Sequence, residues 1–382
     1  MDETAKQFDA AIIGGGVIGC SIAWRLAQGG MRVVVIERGE AGKEASWAAG
    51  GILGPLAEAD RADEFYHLAA ASRAMYPGFA RELREASGID IEYRTEGTLH
   101  LALDEKDEAE LEHRWSWQRD AGLNVKRLNR DCVWKLEPAM SPSLRWALKF
   151  PDDHQVDNRR LVKAVEIAAK RAGVTMMPLT EATELLSSGG EIRGVGTTRG
   201  EIQSRIVILA AGCWSTRIER ASALRIEPVR GQMIAVEMPA GAISHVIYSC
   251  RAYLVPRHGG YVIAGSTTEH AGYDKRVTAG GIASIIERAV EIAPALAGMP
   301  IIETWAGLRP KICSELPRDE WPVLGRRGEA DGLIYATGHY RNGILLTPIT
   351  ARAISDLALR GESEIDLRPF SPLRFDQARR SA

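Results

Sequence analysis

The chain has 382 residues, 45% of them apolar and 26% charged, with a net charge of −2. That length suggests two domains or one large elaborated one, in the composition range of a soluble globular protein. A near-neutral balance gives no general attraction to nucleic acid, and no apolar run reaches the length of a membrane span.

The polar start MDETAKQF runs almost at once into an apolar stretch, so no signal peptide is expected. The five cysteines, Cys20, Cys132, Cys213, Cys250 and Cys313, are odd in number, scattered, and form no CxxC. That usage argues against a disulfide framework and against a metal site, and it fits a reducing cytoplasm.

The first informative stretch is Phe8 to Arg38. A short apolar run, Ala10 to Ile13, ends in Gly14-Gly15-Gly16, with Gly19 three residues later. Ile18, Ile22 and Leu26 then recur four apart, as on one face of a helix, and Gly29-Gly30 stops it. A second apolar run, Val33 to Ile36, leads to Glu37. The GxGxxG spacing therefore falls between strand and helix of a βαβ unit, where its mechanism requires it. Gly14 permits the tight turn, Gly16 lets a pyrophosphate approach the backbone, and Gly19 lets the helix pack on the strand. The helix N-terminus, from Val17 and Ile18, offers unpaired N–H groups to phosphate. Glu37 can accept hydrogen bonds from a ribose diol and would repel a 2′-phosphate. The fingerprint alone does not separate FAD from NAD.

Next comes GEAGKEASWAAGGILGP, poor in large side chains. It reads as a flexible loop or, better placed after the βαβ unit, as a backbone cradle for a flat ligand, with Gly50 and Gly51 allowing close approach. Residues 61–112 read as mostly helical, with a break at Gly88-Ile89-Asp90 and a short strand at Thr98 to Leu103. Glu105 to Arg119 reads as a solvated helix. Trp115, Trp117, Trp134 and Trp146 read as packing residues, since no basic stripe accompanies them. Asn158 to Gly173 is an amphipathic helix. Strands are expected at Val174 to Met177, Ala182 to Leu186 and Ile206 to Ala210, with a hairpin turn at Ser187 to Glu191. The last of these strands runs into Ala211-Gly212, where backbone can meet a cofactor at the carboxyl end of a sheet. From Val229 to Thr268 the pattern is antiparallel β, with a turn at His258-Gly259-Gly260. A helix from Gly280 to Ala293, a strand from Leu333 to Ala336 and a helix from Pro348 to Leu359 complete the reading.

The α/β signal thus appears three times, separated by two other blocks. The expected fold is α/β: a discontinuous Rossmann-like domain of the glutathione reductase type, with an inserted, mostly antiparallel β substrate domain. The expected boundaries are 7–82, 150–222 and 326–362 for the first, and 83–149 and 223–325 for the second.

IIGGGVIGCSIAWRLAQGG with VVVIER, and EASWAAGGILGP, resemble the FAD fingerprint and flavin-side loop of the D-amino acid oxidase superfamily of FAD-dependent amino acid oxidases. YLVPR at Tyr253, WAGLRP at Trp305 and GHYRNGILLTP at Gly338 are similar to its glycine oxidase branch, which serves thiamine thiazole synthesis. The resemblance covers essentially the whole chain. It implies FAD as cofactor, a small amino acid and oxygen as partners, and a homo-oligomer, with a tetramer one form. It implies that Glu37 and Arg38 hold the adenine ribose, that Ala45, Ser46, Gly50, Gly51 and Ile52 line the flavin, and that Ala182 and Gly212 offer backbone to the cofactor. His339, Tyr340, Arg341, Asn342, Gly343, Ile344 and Leu345 would close over the flavin ring. Arg309 would bind the substrate carboxylate, with Arg341 and Tyr253 also touching substrate. Arg251 and Thr268 depart from the branch's histidine and methionine, which leaves glycine, sarcosine, small D-amino acids and D-proline all open. A cysteine after the last β-domain strand holds flavin covalently in a related branch; Cys313 lies close to that place but in poorly matching surroundings, and the expectation is a free thiol. The implied reaction is hydride transfer from Cα to flavin N5, giving an imine, ammonia, a 2-oxo acid and hydrogen peroxide. The alternative is a dehydrogenase subunit that passes electrons to a quinone or a partner flavin.

Overall fold

A computed structural model of the chain describes residues 7–218, 224–313, 320–328 and 332–375. Among these residues the strands form two eight-stranded sheets and one two-stranded ribbon.

The first sheet has a parallel centre. Gln7–Ile13 pairs with Val33–Ile36 on one side and Gly200–Leu209 on the other. Thr175–Met177 extends it beyond Val33–Ile36, and Leu333–Thr337 beyond Gly200–Leu209. Ala10 to Ile13 and Val33 to Ile36 are buried on both faces, which is why they read as unbroken apolar runs rather than alternating ones. The helices Val17–Gln28, Asn158–Arg171 and Thr347–Arg360 cover this sheet, and their apolar faces join one core with Trp24, Tyr76 and Phe370. Gly19 fits because a Cβ there would lie 2.0 Å from the Gly14 carbonyl oxygen.

The second sheet runs Ile301–Ile312, Ile226–Glu237, Tyr261–Gly265, Tyr253–Arg257, Val246–Tyr248, Thr98–Ala102, Trp146–Phe150, Lys126–Asn129. It is antiparallel apart from the Val246–Tyr248 and Thr98–Ala102 pair. The helix Ala279–Ile292 packs on it. The strand Val323–Arg326 pairs with Leu333–Thr337 in the first sheet, so it straddles the boundary placed from the sequence at 325/326. The boundary placed at 222/223 touches residues 219–223, outside the described ones.

Most expected elements stand where the sequence places them; Lys126–Asn129, Arg130–Leu136 and Trp146–Phe150 are elements the sequence reading does not include, and three other segments differ. The long helix is Glu64–Ser87, capped by Asp63 and ended by Gly88 at φ +77°, and the chain stays non-helical to residue 97. The hairpin at 187–191 carries a second strand, Glu191–Thr197, and Gly200–Leu209 is longer than its apolar half. Ile301–Ile312 is a twelve-residue strand although it contains Gly307 and Pro310. It lies at a sheet edge, where a missing N–H costs little.

Candidate active site

The glycine turn sits at the carboxyl end of Gln7–Ile13. Gly14 has φ +110°, and a Cβ there would meet the Ala210 carbonyl oxygen at 2.4 Å. Gly16 is the N-cap of Val17–Gln28 and makes no side-chain cap bond. Ser46 Oγ accepts from Val17 N at 3.1 Å, which docks the loop after the βαβ unit onto the helix N-terminus. Glu37 braces the same turn: Oε2 accepts from Gly15 N and Oε1 from Gly39 N, each at 2.8 Å. Arg38 bonds Glu44 at 2.7 Å and lies 3.6 Å from the centre of the Trp214 ring.

A cavity of about 560 Å³ opens over this turn and runs on to the second sheet. Ile13, Ile36, Ala210 and Thr337, at the carboxyl ends of the parallel strands, form part of its wall. Of the residues nominated from the sequence, Gly14, Gly16, Val17, Ile18, Glu37, Arg38, Ala45, Ser46, Gly50, Gly51, Ile52, Ala182 and Gly212 line it. So do Tyr253, Arg309 and the run from His339 to Ile344. Gly19 and Leu345 do not. Gly19 faces the strand beneath it, and Leu345 is buried, its carbonyl accepting from Ser72 Oγ at 2.6 Å. Tyr76 Oη likewise donates to the Ile344 carbonyl, so the long helix holds the 339–345 loop from behind. Tyr340 has φ +45°, a strained setting for a side-chain-bearing residue, and its N–H bonds Pro310 O at 3.1 Å. His339 is buried, and burial pushes its imidazole down to about 3, so it stays neutral. A glycine turn at the carboxyl end of a parallel strand, opening the helix Val17–Gln28, and a cavity that runs from it to the second sheet together fit a long dinucleotide such as FAD.

The far end of the cavity holds two arginines, Arg309 and Arg341. Arg309 donates to Thr267 O at 3.1 Å and to Ser266 Oγ at 2.6 Å, both neutral acceptors. Among the described residues it forms no ion pair. Gly231 pairs with Gly307 across the strands, and a Cβ on Gly231 would lie 2.2–2.5 Å from the Arg309 guanidinium. Tyr253 is buried, its hydroxyl 3.6 Å from Met233 Sδ and its ring 5.8 Å from that of Tyr248.

Arg341 is differently placed. Its Nε and Nη2 donate to the two oxygens of Glu58 at 2.9 and 3.0 Å, and Tyr248 Oη donates to Glu58 Oε1 at 2.5 Å. Burial alone would raise the Glu58 carboxyl; the Arg341 charge and the two donors outweigh it and hold it down at about 2. Glu58 and Tyr248 were not nominated from the sequence. Glu58 is one acid in the unremarkable segment GPLAEAD, and only the fold brings it to Arg341.

Arg251 lies off the cavity, paired with Asp104, Asp107 and Glu291. Thr268 is exposed and also off it; its neighbour Thr267 is the one turned inward. Cys313 is exposed and does not reach the cavity, whereas Cys213 lines it, its thiol pushed up to about 12 by burial. Among the described residues no group of His, Cys, Asp and Glu is arranged to hold a metal, and no helix is long and apolar enough to cross a membrane.

Residues 9–357 match the DAO family model, described as FAD dependent oxidoreductase. The glycine oxidase of Geobacillus kaustophilus is 35% identical over 373 residues, covering 96% of this chain and 97% of that one. The bifunctional protein ThiO/ThiG of Synechocystis is also 35% identical; the match covers 96% of this chain and 54% of that longer protein. The crystal structure of the Geobacillus kaustophilus glycine oxidase superposes with a TM-score of 0.91 at 34% identity, over 96% of this chain and 99% of that one.

Proposed function

The chain belongs to the DAO family of FAD-dependent oxidoreductases, and on that premise we propose that it oxidises glycine or another small amino acid at the Cα–N bond. The net reaction consumes the amino acid, oxygen and water and yields a 2-oxo acid, ammonia and hydrogen peroxide. When bound, FAD supplies the two-electron acceptor, flavin N5, for the hydride that leaves Cα.

The residues of the chain do the positioning. Arg309 presents two N–H groups in a fork that matches a carboxylate, and its existing contacts to Ser266 and Thr267 fix its direction. Tyr253 and Tyr248, both buried, present their rings to the same cavity. Neutral His339 adds no charge beside the flavin-side loop. No side chain is assigned as a general base. Holding Cα–H against the acceptor in a fixed orientation is itself worth several kcal/mol.

The observation that carries this reading is Arg309: a cavity-lining guanidinium with only neutral partners among the described residues, in a cleft shared with a dinucleotide-type glycine turn. Close similarity to glycine oxidases supports the substrate class. Similarity to the ThiO/ThiG protein supports a further part of the proposal, that the imine feeds thiazole formation in thiamine synthesis. A homo-oligomer belongs to the same proposal. So does the division into 7–82, 150–222 and 326–362 against 83–149 and 223–325, and so does a reducing cytoplasm, which suits five free cysteines.

The test is a peroxide assay in air with glycine, sarcosine, small D-amino acids and D-proline. Peroxide with at least one of them supports the proposal. Reduction of an artificial dye without peroxide would instead favour the dehydrogenase alternative, and a colourless, inert protein would overturn both.

A further inference from the structure

Of Arg309 and Arg341, which both line the cavity, Arg341 is paired with a carboxylate and Arg309 has only neutral partners among the described residues. Arg309 touches a carbonyl and a hydroxyl; Arg341 is closed bidentately on Glu58, which Tyr248 also holds. The two sites adjoin. Tyr340 N bonds Pro310 O at 3.1 Å, linking the residue after Arg309 to the residue before Arg341. Tyr253 and Tyr248, their rings 5.8 Å apart, line the same cavity.

We propose that Glu58 is a specificity-determining residue: by occupying Arg341 it limits the substrate to an amine carrying one carboxylate and excludes amines carrying a second anionic group. This rests on the reading of Arg309 as the carboxylate anchor. A second carboxylate near Arg341 must displace Glu58, and the displaced carboxylate, half-buried, would lose its bidentate partner and keep only the weaker counter-charge of Arg114. If it does not displace Glu58, it faces like charge. A single carboxylate on Arg309 meets neither obstacle. Without Glu58 the same pocket would present two forks, suited to a dicarboxylate that bridges them.

The experiment uses FAD-loaded enzyme and two unreactive probes, glycolate with one carboxylate and oxydiacetate with two. Binding is read by calorimetry and by perturbation of the flavin spectrum. Wild type is expected to bind glycolate at least tenfold more tightly than oxydiacetate. In Glu58→Gln the ratio of oxydiacetate to glycolate affinity is expected to rise at least tenfold, and adding Arg341→Gln should take that gain away. Wild type binding both probes equally would overturn the inference whether or not any variant folds. An unchanged ratio in Glu58→Gln would overturn it too. Wild type binding neither probe would instead overturn the reading of Arg309 on which it rests.

Discussion

Glu37 Oε2 accepts the Gly15 N–H and Oε1 accepts the Gly39 N–H. The sequence points to this carboxylate as a ribose partner, from its place at the end of the second strand. Its second task, bracing the glycine turn from across the sheet, depends on a contact between residues 22 apart and is invisible in a motif. Both tasks concern binding rather than chemistry. Glu37→Ala should therefore weaken FAD affinity by roughly ten- to a hundredfold, the worth of a charge-assisted hydrogen bond of about 1.5–3 kcal/mol. Turnover at saturating FAD should change far less, because a contact remote from N5 stabilises ground and transition states alike. Titration of the apoprotein with FAD, followed by turnover of the reconstituted enzyme, checks this. Unchanged affinity with collapsed turnover would count against it. Arg309 and Arg341 show the limit of reading residues one at a time. Both stand in recognisable segments, yet only the fold distinguishes the open guanidinium from the one held by Glu58.

The short helix Pro55–Glu58, which carries that glutamate, is fastened at its start by Asp153, whose two oxygens accept from Leu56 N at 3.2 Å and Ala57 N at 2.8 Å. Asp153 is fully buried, and burial pushes its carboxyl up to about 7, against the pull of the two N–H donors and of Arg73. A carboxyl raised on folding contributes stability that is complete below its unfolded value, near 4, and is lost as pH rises through about 7. Wild type should therefore lose several degrees of thermal midpoint between pH 5 and 8 relative to Asp153→Asn, which has no proton to give up. Parallel curves for the two proteins would show that Asp153 does not titrate there. On the paired strands Ile226–Glu237 and Ile301–Ile312, Gly231 is bare because Arg309 lies over it. Gly231→Ala should displace the guanidinium and weaken glycolate binding at least tenfold while FAD content stays as in wild type. WAGLRP made one of these strands recognisable as a site segment but not as a strand. Gly231 gave no signal, since its partner is 78 residues away.

At the scale of the whole molecule, the centre of the parallel sheet was legible because Ala10 to Ile13, Val33 to Ile36 and Val207 to Leu209 are short buried apolar runs, the first ending in a glycine turn. The second sheet was legible in its middle hairpin, in the short strand at Thr98–Ala102 and as an antiparallel pattern over 229–268, but its order was not. Its strands come from residues 98–150 and 226–312, and such distant pairings leave no local periodicity to read. The cavity forms where the two sheets meet, which is why Glu58 and Tyr248, though ordinary in their own segments, face Arg341 across it. Cys313 stands outside this cavity, so FAD should leave the acid-denatured chain as free flavin. Flavin that stays with the precipitated protein would contradict that.

Arg309 is the proposed carboxylate anchor, and the most direct measurement of it is a glycolate titration of FAD-loaded wild type, Arg309→Ala and Arg309→Lys, read by the flavin spectrum. Losing one partner of a hydrogen-bonded charge pair costs on the order of 2–5 kcal/mol, so Arg309→Ala should bind glycolate at least about thirtyfold more weakly with its FAD retained. Arg309→Lys should recover only part of that, because a point charge cannot reproduce the fork. If Arg309→Ala binds glycolate as tightly as wild type, the carboxylate is held elsewhere and the account fails.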